Sequence, residues 1–328
     1  MVKISPVEEL FTLINETAQI IQEEISCTFL EALAETGENL FQGTIVQEEF
    51  SQLNRKRLEK LYDQVNMMKY QKEEIRKAFQ LVILKGMKDN VQANHQMTPD
   101  AIGMLMGFLV NKFVQKQSFK LLDPTVGTGN LMATVINHLQ EKEIDAIGIE
   151  VDDLLIRLAF VNANLQQHSI EFFNQDSIMP LYVDPVDVVI CDLPVGFYPN
   201  DERASEFLVK ADQGRTYAHH LLIEQSVQHT KDGGYLFFMI PNGLFESEQA
   251  DKLHQFLKDH VNIQGILQLP MSMFKTESSA KSILILQKKG ENVRAPKQAL
   301  LVNMPSLANR QAVEKVFAQI DLWLKGNK

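Results

Sequence analysis

Cysteine is scarce in this chain, with only Cys27 and Cys191 among 328 residues. Two so far apart cannot build a disulfide framework or a four-ligand zinc site, so both read as core thiols and no metal is expected. No apolar run approaches the roughly 18 residues of a membrane span, and Leu236–Ile240 is only strand-sized. A basic leader, hydrophobic stretch and small-residue cleavage site are also missing, because Glu8, Glu9 and Glu16 interrupt the residues after Lys3. These absences speak against a membrane or exported protein and give the cytoplasm as the expected location. Glycine and proline are few, at 16 and 11, beside 45% hydrophobic and 23% charged residues. Disorder and fibrous repeats are thereby excluded, and the length suits one large or two ordinary domains.

The net charge of −10 argues against a surface that embraces nucleic acid throughout, since such binding rests on Lys and Arg releasing counterions. The charge is uneven, however. Residues 1–50 hold one base and ten acids, whereas residues 51–90 hold ten bases, Arg55 to Lys88, and five acids. Nearly all of the acidity therefore precedes residue 51, and a nucleic-acid partner for the rest stays open.

Both N-terminal stretches carry helical periodicity. Val7, Leu10, Ile14, Ala18, Ile21, Ile25 and Phe29 recur every three or four residues, and Leu58, Leu61, Val65, Met68, Ile75, Phe79 and Val82 do the same. Two long helices are expected, broken at Gly37 and Gly43, with the acidic helix an electrostatic neighbour of the basic one. A coiled-coil seam to a protein partner is the other reading of the pattern. A helical domain over 1–95 and a second domain over 96–328 follow.

Beyond residue 95 short apolar runs alternate with helical segments. Phe119–Asp123, Ala146–Glu150, Ile170–Phe173, Val186–Cys191, Tyr235–Ile240, Ile263–Leu269 and Ile283–Gln287 predict seven strands, with helices near 129–140, 152–167, 216–230 and 247–260. The alternation implies an α/β fold, a doubly wound, mostly parallel sheet with its ligand at the carboxyl ends of the strands. The last two of these strands are joined by a loop too short for much helix, so an antiparallel pair is expected there. A short tail strand near Ala299–Val302 and a helix from Asn309 to Leu324 follow.

Four strands end on an acid: Asp123, Glu150, Asp176 just past the third, and Asp192. The first leads into Pro124-Thr125-Val126-Gly127-Thr128-Gly129-Asn130, a glycine turn that brings backbone N–H groups close to a ligand at a helix N-terminus. A dinucleotide fingerprint would need a third glycine where Met132 stands, and Asp123 would repel a pyrophosphate. An acid-lined edge instead suits a cationic ligand. Glu150, 21 residues past Gly129, can accept both hydroxyls of a ribose.

Together these residues resemble the class I S-adenosylmethionine-dependent methyltransferases, and among them the adenine-N6 DNA methyltransferases, especially modification subunits of type I restriction systems. Thr98-Pro99, Asp123 to Gly129, Gly148-Ile149-Glu150, Asp176-Ser177, Asp192-Leu193-Pro194, Ile240-Pro241-Asn242-Gly243 and Leu269-Pro270 follow in family order over residues 97–303. The resemblance implies a Rossmann-like fold with S-adenosyl-L-methionine as cofactor. It implies that Thr98, Asp123, Pro124, Thr125, Gly127, Thr128, Gly129 and Asn130 hold the methionyl part and that Glu150 holds the ribose. Val151 and Ile178 would flank the adenine, with Asp176 and Ser177 beside its amino group.

The resemblance also makes Asp192, Leu193 and Pro194 the catalytic motif, where methyl donor and acceptor meet. The family motif there reads Asn, Asp or Ser, then Pro-Pro, then an aromatic residue that stacks on a flipped base. This chain has Leu193 and Val195 instead. Phe197 or Tyr198 would then supply the aromatic surface, or pack beneath the loop. Arg203, Lys210 and Arg215 are expected near the acceptor, and His219 and His220 at the surface or as a cap. Lys275, Lys281, Lys288 and Lys289 would meet phosphates or solvent. About 41 residues follow Gln287, too few for a recognition domain. An N-methyltransferase with nucleic acid, first of all DNA, as substrate is one expectation. A cofactor-binding regulatory protein with altered chemistry is a second, and a nicotinamide-dependent oxidoreductase is a third.

Overall fold

In the computed structural model, which describes residues 4–48, 50–89 and 97–327, the first amphipathic stripe is two helices instead of one. Helix α1 (Pro6–Ile25) has proline in its first turn and Ser5 as its cap, and it ends where Ser26 turns left-handed at φ 54°. A Thr28/Glu31 capping box then opens α2 (Phe29–Gln42), which Gly43 closes with φ 67°. Gly37 is therefore no break. It lies inside α2, where an added Cβ would fall 2.0 Å from Val161 Cγ1; only glycine lets this helix approach the one carrying Val161 so closely.

The basic stretch also divides, into α3 (Gln52–Tyr62) and α4 (Lys72–Asp89), with one 3-10 turn, Met67–Lys69, between. Met68 in that turn is exposed, so the stripe is no continuous seam; α1 packs on α2 and α4 within one apolar cluster. The expected charge pairing between the two stretches is replaced. Among the described residues no ion pair joins acids of 1–50 to bases of 51–90, and Glu35 and Glu38 instead reach Arg157 at 2.6 and 2.9 Å.

The α/β part begins with α5 (Asp100–Phe113); the expected boundary at 95/96 lies outside the described residues. Strands β1 (Ser118–Asp123), β2 (Glu143–Glu150), β3 (Ile170–Asn174), β4 (Val186–Asp192), β5 (Thr230–Pro241), β6 (Val261–Gln268), β7 (Lys281–Lys288) and β8 (Leu300–Asn303) form one sheet in the order β3-β2-β1-β4-β5-β7-β6-β8. Only β7 runs against its neighbours. The sheet thus has eight strands instead of seven, because the tail strand pairs with β6.

Helices α6 (Asn130–His138), α7 (Asp153–Leu165), α8 (Asp201–Ala204), α9 (Ala218–Gln228), α10 (Ala250–His260) and α11 (Arg310–Asn327) complete the fold. One apolar layer joins the sheet to α5, α6 and α11, and the other joins it to α9 and α10. Along β4, Val188 and Ile190 enter the first layer and Val189 and Cys191 the second, which is why the strand is continuously apolar from Val188 to Cys191. No helix among the described residues is long and apolar enough to cross a membrane.

Two arginines tie the helical unit to the α/β part. Arg157 on α7 is about one third exposed (35%) and bridges to α2. Arg76 on α4 has no exposed surface. Its Nε and Nη2 donate to Glu73 at 2.8 and 2.7 Å, Nη1 and Nη2 donate to Asp100 at 2.9 Å each, and Nη1 donates to Asn130 Oδ1 at 2.7 Å. Burial lowers and the two carboxylates raise its proton affinity, and the carboxylates prevail. Removing one partner of such a buried pair strands the others. Arg76→Met is therefore expected to cost about 3–5 kcal/mol in urea-unfolding stability, whereas Arg157→Met should cost no more than about 1 kcal/mol.

Candidate active site

The winding direction of the sheet reverses between β1 and β4, and crevices at such points, at the carboxyl ends of the strands, take ligands. Asp123 ends β1 there with 1% of its surface exposed. The Thr125 amide donates to its Oδ1 at 3.1 Å. Burial, with smaller contributions from the charges of Glu150 and Asp192, pushes this carboxyl up to about 8 against the opposing Thr125 bond. A cation beside such a carboxyl would favour its anion.

The turn after Asp123 is left-handed at Gly127 (φ 56°) and Gly129 (φ 75°), and Gly129 also lies against Ala159 of α7. Glu150 holds the turn: its Oε2 accepts from the Gly127 amide at 3.0 Å, and its Oε1 from the amides of Val151 and Asp152 at 2.9 and 3.0 Å. Val151 stands exposed beside it, while Ile178 is buried at 2% exposure and belongs to an apolar layer; the two do not form a matched exposed pair. Ser177 donates to the Pro124 carbonyl. Thr128 and Asn130 are buried, and Thr125 Oγ1 meets Cys191 Sγ at 3.0 Å. Met132, at the place of a third fingerprint glycine, is a core residue.

Asp176 accepts from the Ile178 amide at 2.8 Å through Oδ1 and from the Tyr198 hydroxyl at 2.6 Å through Oδ2. Tyr198 is thereby committed. It is 5% exposed, and burial with the Asp176 contact raises its hydroxyl, so it cannot serve as a stacking surface. Phe197 is available, with 56% of its surface exposed. Its ring stacks on Tyr217 at 4.8 Å, and an antiparallel bridge between the two residues fixes the loop.

Asp192 ends β4 beside Thr98, whose hydroxyl donates to Oδ2 at 2.8 Å. Lys281 Nζ lies 2.5 Å from Oδ1. Thr98 in turn gives its carbonyl to Asn130 Nδ2 at 3.0 Å, so a continuous chain of contacts leads from Arg76 through Asn130 and Thr98 to Asp192 and Lys281. Leu193 has a buried side chain, and its amide donates to the Met239 carbonyl at 3.2 Å, while Pro194 and Val195 are exposed.

Several neighbours differ from expectation. His219 and His220 are buried and not at the surface, His219 stacked on Tyr217 and His220 meeting that ring edge-on. Burial lowers them to about 4 and about 3, which keeps both neutral near pH 7. Arg203 is a strut, donating to the Ile178 carbonyl at 2.7 Å, and Lys210 folds back on the Ser205 carbonyl at 2.9 Å. Arg215 is exposed. Lys288 and Lys289 bond to the carbonyls of Thr230 and Lys258 at 2.7 and 2.5 Å. Lys281, expected to meet phosphates or solvent, instead stands against Asp192. The signal was available: the start of an antiparallel strand lies at the carboxyl edge of its parallel neighbours.

The chain is 53% identical over 321 residues to the uncharacterized protein YtxK of Bacillus subtilis (strain 168), covering 97% of this chain and 98% of that one. A crystal structure from Listeria monocytogenes (lmo1582), provisionally assigned to the class I S-adenosylmethionine-dependent methyltransferases, superposes with a TM-score of 0.91 at 43% identity, covering 97% of this chain and 99% of that one. The Escherichia coli type I restriction enzyme EcoEI methylase subunit is 22% identical over 304 residues, 87% of this chain and 59% of its own length. The YtxK N-terminal helical domain profile matches residues 8–87, and the N-6 DNA Methylase profile matches residues 83–322. With that match over most of its length, on the sheet and acid-lined edge described above, the chain belongs to the N-6 DNA methylase family.

Proposed function

We propose that this protein is an S-adenosyl-L-methionine-dependent N-methyltransferase whose acceptor is a planar exocyclic amine, adenine N6 of DNA before others. The observation that carries the reading is the convergence of Asp123, Glu150, Asp176 and Asp192 at one sheet edge, with Asp123 buried, pushed up to about 8 and in no ion pair among the described residues. The residues fit a cofactor with an ammonium, a ribose and an adenine. Asp123 and the Gly127–Gly129 turn would take the ammonium end, Glu150 the ribose, and Asp176 with the exposed Val151 the adenine. The cofactor supplies an activated methyl group; positioning the acceptor and handling its proton fall to the chain.

Asp192 and the Leu193 carbonyl would accept hydrogen bonds from the acceptor amine, restoring electron density to a lone pair otherwise delocalised into the ring. The Leu193 amide bond to Met239 holds that carbonyl in place, although leucine constrains the backbone less than the second proline of the family motif. The exposed face of Phe197 would stack on the base in place of the aromatic residue that Val195 lacks. His219 and His220 are buried and weakened as bases by that burial, which leaves Asp192 as the group that takes the departing proton.

DNA is the leading acceptor by family, the cytoplasm is the compartment proposed, and the helical unit α1 to α4 is a candidate contact for a protein partner. Val195 favours a second reading, a regulatory protein that binds the cofactor without transfer.

Labelled S-adenosylmethionine should deliver its methyl group to adenine-containing DNA, and Asp192→Ala should lower that rate by about a hundredfold or more. Cofactor binding without transfer to DNA, RNA or small amines would favour the regulatory reading. Because Asp123 holds a proton below about pH 8 and a bound ammonium stabilises its anion, binding should release a proton. Cofactor affinity is then expected to rise by up to about tenfold per pH unit between pH 6 and 8. Calorimetry in buffers of different ionisation enthalpy checks this; Asp123→Asn should abolish both the release and the pH dependence.

A further inference from the structure

Lys281 is the first residue of β7, and it pairs with Pro241 at the end of β5. Because β7 runs antiparallel to β5, its start lies at the carboxyl edge, beside the end of β4. Nζ of Lys281 stands 2.5 Å from Asp192 Oδ1, while the Thr98 hydroxyl occupies Oδ2 at 2.8 Å. Asp192 is the only hydrogen-bond partner of that ammonium among the described residues. The two side chains are only 20% and 19% exposed, so this is not a solvated surface pair whose members part freely. A primary amine of the chain itself rests where an acceptor amine would seek its hydrogen bond.

Resting on the reading of Asp192 as the residue that receives the acceptor, we infer that Lys281 is a specificity-determining occupant of the acceptor position. Its ammonium takes Oδ1 of Asp192, and an acceptor gains that oxygen only by displacing it. Two consequences follow from charge. A neutral aromatic amine would replace a hydrogen bond between two ions by one in which only the carboxylate is charged, so a bare nucleoside competes poorly. An acceptor carrying an anion near its amine gives the displaced ammonium a new partner, and a phosphate-bearing nucleotide unit meets that requirement. The same positive charge disfavours the cationic sulfonium of S-adenosylmethionine relative to S-adenosylhomocysteine, whose sulfur is neutral.

The test compares wild type with Lys281→Met, Lys281→Gln and Lys281→Arg, each first shown to be folded by thermal unfolding. Calorimetry gives the ratio of dissociation constants for S-adenosylhomocysteine and S-adenosylmethionine. At low salt the neutral variants should shift that ratio toward S-adenosylmethionine by about fivefold, and Lys281→Arg should leave it near the wild-type value. Binding of both ligands with an unchanged ratio in folded Lys281→Met and Lys281→Gln overturns the assignment of Lys281 alone. Failure of the wild type to bind either ligand overturns the cofactor reading and this one with it. In methyl transfer, wild type should prefer an adenine-containing oligonucleotide to adenosine, and Lys281→Met should raise kcat/KM for adenosine by about tenfold. A wild type that prefers adenosine contradicts the inference.

Discussion

A guanidinium with no exposed surface needs a partner for each of its five N–H groups, and the way Arg76 finds them determines where the site residues stand. Glu73, on its own helix, takes two, Asp100 at the start of α5 takes two, and Asn130 at the start of α6 takes one. Arginine alone among the side chains presents this planar fork. Asn130 is turned so that its amide holds the Thr98 carbonyl, and Thr98 is turned so that its hydroxyl holds Asp192. The helical unit therefore does more than cover α7: through one buried charge it orients the segment that reaches Asp192.

The opposite problem is posed at the sheet edge. Asp123 is buried near the charges of Glu150 and Asp192, and the single Thr125 amide cannot offset the loss of water. Glu150 is satisfied by three backbone amides and Asp176 by an amide and the Tyr198 hydroxyl, so their oxygens are fixed in place before any ligand arrives. Lys281 compensates Asp192, whereas Asp123 makes no ion pair among the described residues. In the function proposed above, this arrangement takes a ligand with positive charge at one end and hydroxyls in the middle, which a dinucleotide would not match.

Much of this was legible in the sequence because its physics is local. Strands covered on both faces must be continuously apolar, a left-handed turn calls for glycine, and a short loop forces the antiparallel pair β6 and β7. What escaped depends on contacts distant in sequence. The helix break at Ser26 carries no glycine or proline, while Gly37 serves close packing against Val161 instead of a turn. Arg76 reads as one more base on a basic helix until Asp100 and Asn130 surround it. His219 and His220 look like surface residues, yet α9 is buried along most of its length and takes them into the interior with it. Lys281 looked like one of several loop lysines, and only the register of β7 brings it to Asp192. The tail strand near Ala299 was visible, but its pairing with β6 as an eighth strand was not.

If the acid-lined edge, held from Arg76 to Asp192, is the S-adenosylmethionine site proposed above, the compound binds there and nowhere else. The most direct measurement is a crystal structure of the protein grown with that compound. The ammonium is expected within hydrogen-bond distance of Asp123, the ribose hydroxyls on Glu150, and the methyl group on the side of Asp192. Density for the compound elsewhere on the molecule, or none at saturating concentration, would contradict that proposal.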